Sequence, residues 1–289
     1  MIRELVLASR PVSWINTAYP FAAAYLVTTG RIDAPLIVGT VFFLIPYNLA
    51  MYGINDVFDY ESDLANPRKG GAEGAVLTRE AHAVTLRAAV LLSTPFVITL
   101  IALSGPWSWG VLTISLFAVV AYSVPGLRLK ERPFLDSLTS SVHFVSPAVF
   151  GLALAGASPT PASTLTVAAF LLWGIASHAF GAVQDVVPDR AAGISSIATA
   201  IGARWTVRLA IGVWVTAGLV MLLLGWPGRL AAFLVVPYIA LAMPYWSVSD
   251  ADSARANRGW KRFLWVNYVV GFFVTVLLIV SSWHGSSTS

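Results

Sequence analysis

The chain is a succession of apolar runs, each long enough to cross a lipid bilayer, and that leaves few folds open to it. Nine such runs can be read, at about 12–29, 34–57, 84–104, 107–124, 137–156, 163–184, 205–225, 229–247 and 263–283. A hydrocarbon layer of about 30 Å takes about 20 residues of helix. Inside it every backbone N–H and C=O has to find a partner within the protein, which runs of this length do as helices. Only 11% of the 289 residues are charged, against about 25% in soluble domains. The expectation is an all-α, polytopic membrane protein forming a single integral-membrane domain over 1–289, with a polar tail at about 284–289. Gly30, Gly105-Pro106, Pro125-Gly126, Ser158-Pro159-Thr160-Pro161 and Trp226-Pro227-Gly228 punctuate the runs. There is no cysteine, so disulfides and thiolate metal sites are excluded. The net charge of +4 is small and reflects membrane topology rather than nucleic-acid binding. Nothing in 1–11 resembles a cleaved signal peptide.

Threading nine helices through a membrane puts 16 of the 18 Lys and Arg residues on one side, leaving Arg31 and Arg229 on the other. The positive-inside rule makes the rich side cytoplasmic, with the N-terminus inside and the C-terminus outside. Two polar loops on that side carry acid clusters, and four helices separate them. This suggests two pseudo-repeated four-helix halves plus a ninth helix.

The first cluster is Asn55-Asp56-Val57-Phe58-Asp59-Tyr60-Glu61-Ser62-Asp63 and the second is Asp185-Val186-Val187-Pro188-Asp189. An Asp at bilayer depth costs roughly 2.5–3.5 kcal/mol, and grouped carboxylates repel one another, so a cation is their natural partner. Asp56 and Asp59 are three apart; Asn55 and Asp59, Asp59 and Asp63, and Asp185 and Asp189 are four apart. On a helix each spacing shares a face. Hard oxygen donors without His or Cys suit Mg²⁺, which binds through one or two carboxylates plus substrate phosphates, rather than Zn²⁺. A single Asp at a membrane edge reads as a cap or a solvated charge; two clusters on one side read as a site. Tyr60 and Glu61 point elsewhere on the helix. Asn48 either lines a cavity or bonds between helices. Pro188 clashes one turn back near Gln184, which places the second cluster at a helix end or kink.

A metal-held diphosphate still needs cations. Arg68-Lys69-Gly70-Gly71, Tyr122-Ser123 with Arg128 and Lys130, and Arg190 lie on the same side; positive-inside topology is the competing explanation for each. For Arg255, Arg258, Lys261 and Arg262 that explanation leads. His143 and His178 fall inside spans, facing a cavity or bonding between helices, and most of the 11 Trp residues fit interfacial belts.

Asn55-Asp56-x-x-Asp59-x-x-x-Asp63, Tyr122-Ser123 with Arg128 and Lys130, and Asp185-x-x-x-Asp189-Arg190-x-x-Gly193-Ile194 together resemble the UbiA superfamily of intramembrane prenyltransferases, over nearly the whole chain. The resemblance implies that Mg²⁺ bridges both motifs to an isoprenyl diphosphate, whose allylic group passes to an acceptor in the membrane. It makes Asp56, Asp59, Asp63, Asp185 and Asp189 catalytic. With Asn55 they would hold metal and diphosphate, while Arg68, Lys69, Arg128 and Lys130 would contact the diphosphate. Tyr52-Gly53-Ile54-Asn55-Asp56 and His178-Ala179-Phe180-Gly181-Ala182-Val183-Gln184-Asp185 are most similar to the lycopene elongase branch. That branch uses dimethylallyl diphosphate and lycopene on the way to C50 carotenoids. A quinone precursor or another lipid is the alternative acceptor. A transporter with an acidic metal site would need acids near the bilayer midplane. A CDP-alcohol phosphotransferase would need an Asp-Gly-x-x-Ala-Arg element, absent after Asp56 and Asp59.

Overall fold

The computed structural model describes residues 2–65 and 77–287, apart from the side chains of 62, 63, 65 and 282–287. It contains fourteen α-helices among the described residues, joined by short 3₁₀ turns. Eight helical stretches are long and apolar enough to span a membrane: Ala34–Phe58, Arg79–Ala102, Pro106–Ser123, Leu135–Leu154, Pro161–Ala191, Ala203–Leu222, Gly228–Tyr245 and Ser253–Ser281. They coincide with eight of the nine runs read from the sequence. The remaining run is also helical, Ile15–Thr29, but at 15 residues it is shorter than the others. The protein is therefore all-helical and multi-pass.

The helices group into two compact units, Met1–Leu129 with Val142–Ser158, and Lys130–Ser141 with Pro159–Ser289. The first unit begins with α1 (Ile2–Ala8), followed by α2 (Ile15–Thr29), α3 (Ala34–Leu44), α4 (Pro46–Phe58), α5 (Tyr60–Ala65), α6 (Arg79–Ala102) and α7 (Pro106–Ser123). It also takes the C-terminal part of α8 (Leu135–Leu154). Its core is aromatic: Phe21, Phe42, Phe43, Tyr47 and Phe150 are fully buried and pack tilted or edge-on against one another. Gly53 of α4 faces Thr85 of α6 so closely that a Cβ would lie 2.8 Å from the Thr85 methyl carbon, so only glycine allows this packing.

The run 34–57 is broken at Ile45 (φ −118°, ψ −63°) because Pro46, the first residue of α4, has no N–H to donate. Asn48 compensates. Its Nδ2 donates to the Phe43 carbonyl at 2.8 Å and the Leu44 carbonyl at 3.1 Å, and also to Thr17 Oγ1 at 2.7 Å. The Thr17 hydroxyl in turn donates to Phe43 O at 2.7 Å. Of the two roles open to Asn48, the structure shows the hydrogen bond between helices.

The second unit comprises the start of α8, α9 (Pro161–Ala182), α10 (Val186–Ala191), α11 (Ile197–Ile201), α12 (Ala203–Leu222), α13 (Val236–Ala242) and α14 (Asn257–Ser287). Its core gathers Phe180, Trp214, Tyr238 and Phe263, with Trp173 and Trp260 against them. The span at Gly228–Tyr245 is only partly α-helical, because Pro237 and Pro244 each remove a donor; 3₁₀ turns flank α13 on both sides. Pro188 has the effect anticipated for it. α9 stops at Ala182, a 3₁₀ turn covers Val183–Asp185, and α10 begins at Val186. Gln184 Nε2 takes up the Gly181 carbonyl at 2.9 Å, while its Oε1 accepts from Asn257 Nδ2 at 2.6 Å. Each acid-bearing helix is thus broken at or beside a proline, and a side-chain amide satisfies carbonyls at the break.

Candidate active site

α4 ends at Phe58, and Asp59 is its C-cap, so the first acid motif occupies a helix terminus and the turn after it. Asn55, Asp56 and Asp59 lie within its last turn. Asp56 is buried (1% exposed); Asn55 and Asp59 are half-buried. Each has a partner brought in from elsewhere in the first unit. Ser123, the last residue of α7, donates its hydroxyl to Asn55 Oδ1 at 3.1 Å. Arg10, between α1 and α2, places Nη2 2.7 Å from Asp56 Oδ1. Arg128 brings Nη2 to 3.6 Å from Asp59 Oδ1. Arg128 sits in the turn after α7 with φ +37°, a left-handed conformation costly for a residue with a Cβ; the turn closes with Arg128 N–H on Val124 O at 3.0 Å.

Tyr122 is half-buried near the end of α7, its ring edge-on to His143 at 5.1 Å. The His143 carbonyl accepts from Tyr47 O–H at 3.3 Å, and Ser115 O–H donates to Tyr47 Oη at 3.1 Å. His143 therefore helps to tie α8 to α4 and α7. Tyr60 and Glu61 lie off the acid face: Tyr60 packs edge-on to His82 and Glu61 pairs with Arg79 at the surface. The expectations for Arg68, Lys69 and the Asp63 side chain lie outside the described residues.

The second motif occupies the break between α9 and α10. Asp185 closes the 3₁₀ turn and Asp189 lies in α10; both are half-buried. Arg190 is engaged away from them. Its Nη1 lies 2.6 Å from Asp250 Oδ2 and its Nη2 donates to the Thr199 carbonyl at 2.9 Å. Asp250 Oδ1 also accepts the Ala203 N–H at 2.7 Å. That backbone donor, with Arg190 second, holds the Asp250 carboxyl below the usual carboxylate range against the opposing effect of burial. One turn of α8 reaches the same loop: Asp136, fully buried, accepts the Ile197 N–H at 2.7 Å. Ser137 Oγ lies 3.0 Å from His178 Nδ1, so His178 bonds between α8 and α9. Lys130 is half-buried in the 3₁₀ turn Leu129–Glu131, and Arg255, Arg258, Lys261 and Arg262 are exposed.

Arg10, Asp136 and Asp250 were not singled out in the sequence. Each meets its partner across 46 to 61 residues, where helical spacing carries no signal. In the sequence Arg10 counts only as one of the 16 basic residues on the inside.

The donor chemistry fits Mg²⁺. Among the described residues no three His, Cys, Asp or Glu side chains gather tightly enough to hold a metal alone. Mg²⁺ commonly binds through one or two carboxylates together with substrate phosphates, and the Asp56 and Asp59 carboxylates beside Arg10 and Arg128 are a donor set of that kind.

The chain belongs to the UbiA prenyltransferase family, whose sequence profile matches residues 17–267, and it is a prenyltransferase. More particularly, it is 52% identical over 279 residues to the lycopene elongase/hydratase of Corynebacterium glutamicum, covering 96% of this chain and 97% of that one. It is 37% identical over 227 residues to the lycopene elongase/hydratase of Halobacterium salinarum, covering 77% and 80%. Its fold is similar to a UbiA homolog from Archaeoglobus fulgidus solved with DMAPP and Mg²⁺. The TM-score is 0.64 at 18% identity, over 92% of this chain and 98% of that one.

Proposed function

We propose that this protein transfers the dimethylallyl group of dimethylallyl diphosphate to lycopene, with Mg²⁺ as cofactor, in the cell membrane. The observation that carries the reading is the 52% identity, end to end, with a lycopene elongase/hydratase. Asn55, Asp56, Asp59, Asp63, Asp185 and Asp189 are assigned to metal and diphosphate. Tyr122, Arg128, Lys130, Arg68 and Lys69 are assigned to the diphosphate. Arg190 joins that assignment only if it leaves Asp250. The 16 Lys and Arg residues on one side support a cytoplasmic site, an inside N-terminus and an outside C-terminus, with all 289 residues acting as one integral-membrane domain.

The chemistry follows from the charges. The allylic C–O bond breaks with both electrons leaving on the diphosphate. Mg²⁺, when bound, neutralises that leaving group as a Lewis acid. Arg128 supplies further positive charge where negative charge grows. The allylic cation requires apolar surroundings that keep water away. The π electrons of a terminal double bond of the acceptor then form the new C–C bond, and the resulting tertiary cation loses a proton or captures water.

Expression in a lycopene-producing host tests this directly. Pigments one or two five-carbon units longer than lycopene are expected. Unchanged lycopene alongside a newly prenylated quinone or other lipid would reassign the acceptor and leave the prenyltransferase chemistry standing.

A further inference from the structure

We propose that Arg10 is a positioning residue of the acid site, a built-in counter-cation that makes uptake of the divalent ion depend on the diphosphate. The proposal rests on the assignment of Asp56 and Asp59 to metal and diphosphate given above.

Three features show that Arg10 is placed rather than merely present on the cytoplasmic side. Its side chain is only 17% exposed, and that of its partner Asp56 is fully buried. A charge serving topology alone would stay in water or among lipid headgroups. Its guanidinium also lies 4.2 Å from the centre of the Tyr52 ring. Tyr52 precedes Asp56 by one turn of α4, so aromatic face and carboxylate together form a cradle for a planar cation. Finally, the backbone is bent to deliver it. Arg10 has φ +50° and ψ +75°, a left-handed conformation unfavourable for arginine. Anchors on both sides hold that bend. Ser9 Oγ donates to Val6 O at 2.7 Å, Trp14 Nε1 donates to Ser9 O at 3.0 Å, and Ser13 N–H donates to Arg10 O at 2.8 Å. Ala8 is fully buried in the core of the first unit.

The charge balance gives this placement a consequence. With Arg10 on Asp56 and Arg128 near Asp59, each of these carboxylates already faces a cation. At these two carboxylates a lone Mg²⁺ would meet charge that is already balanced and would be repelled by both guanidinium groups. A diphosphate reverses the balance, because its negative charges attract the metal and the arginines together. Arg10 thus holds Asp56 in place without metal and withholds the carboxylate from stray divalent ions.

The test uses the full-length protein in detergent, with MgCl₂ and inorganic pyrophosphate as probes and thermal unfolding as the readout. Wild type is expected to respond weakly to MgCl₂ alone and strongly to both together. In Arg10→Gln the Mg²⁺ concentration giving half the thermal shift without pyrophosphate should fall about tenfold, as expected when a unit charge is removed from beside a divalent ion. The extra shift from pyrophosphate should shrink. Arg10→Lys, which keeps the charge but not the planar stack, should restore the wild-type pattern with a lower melting temperature; if Arg10→Gln fails to fold, Arg10→Lys against Tyr52→Leu carries the comparison. An Arg10→Gln protein with the wild-type response to each probe, or a lysine variant that behaves like the glutamine one, would overturn the proposal. A wild-type protein indifferent to both probes would instead sink the metal–diphosphate assignment beneath it.

Discussion

Replacing Asn48 with Ala should unfasten the helix that carries the first acid motif. The amide makes three hydrogen bonds, to Phe43 O, Leu44 O and Thr17 Oγ1, and Asn48 is fully buried. Polar bonds between membrane helices average about 0.6 kcal/mol each and reach about 1.7, and the amide shares two N–H groups among the three acceptors, so together they contribute roughly 1–2 kcal/mol. Phe43 O keeps Thr17 as a donor, but Leu44 O loses its side-chain donor beside a proline break. A stranded buried carbonyl costs a further ~1–3 kcal/mol. The expected loss is about 2–5 kcal/mol, with reduced activity because Asn55, Asp56 and Asp59 ride on the same helix. The assay is reversible denaturation in mixed micelles beside Thr94→Ala, which removes one exposed bond within a helix and should cost under about 0.5 kcal/mol. An Asn48→Ala protein as stable as Thr94→Ala would refute the role given to this amide.

Arg128→Ala should remove positive charge from beside the departing diphosphate and lower kcat/KM for the allylic diphosphate tenfold or more, read by steady-state kinetics. Asp136→Ala should orphan the Ile197 N–H and cost about 1–3 kcal/mol, whereas Asp136→Asn, which retains an acceptor, should cost less in the same unfolding assay. The Asp250 carboxyl is held low by the Ala203 N–H and Arg190, so its stabilisation is present above the unfolded value near pH 4 and disappears as pH falls through the native one. Asp250→Asn should therefore be less stable than wild type at pH 7, the gap narrowing below about pH 4; a gap that widens on acidification would contradict the sign.

Much of this architecture was legible because lipid leaves the backbone little choice. The runs read at 107–124, 137–156 and 163–184 correspond to Pro106–Ser123, Leu135–Leu154 and Pro161–Ala182, each opened by a proline or an acidic first turn. The Pro188 break was foreseeable from its steric clash. The break at Pro46 was missed because hydropathy is continuous across it and because Asn48, which satisfies the interrupted carbonyls, has an ambiguous side chain. Likewise Gly228–Tyr245 read as one span although its prolines leave only seven residues of α-helix. The acid motifs were visible through their i, i+3 and i, i+4 spacing. Ser123 and Arg128 were legible as part of the Tyr122-Ser123 and Arg128 motif, but their pairing with Asn55 and Asp59 was not, and Arg10 stood only among the scattered inside charges.

Turnover of dimethylallyl diphosphate in membranes supplied with lycopene, followed as pyrophosphate release with and without free Mg²⁺, bears on the chemistry most directly. Wild type should be active only with the metal, and Asp56→Ala and Asp189→Ala should each be slower by orders of magnitude. Wild-type rates in both variants, or full activity after chelation, would show that these carboxylates are not the machinery of the reaction.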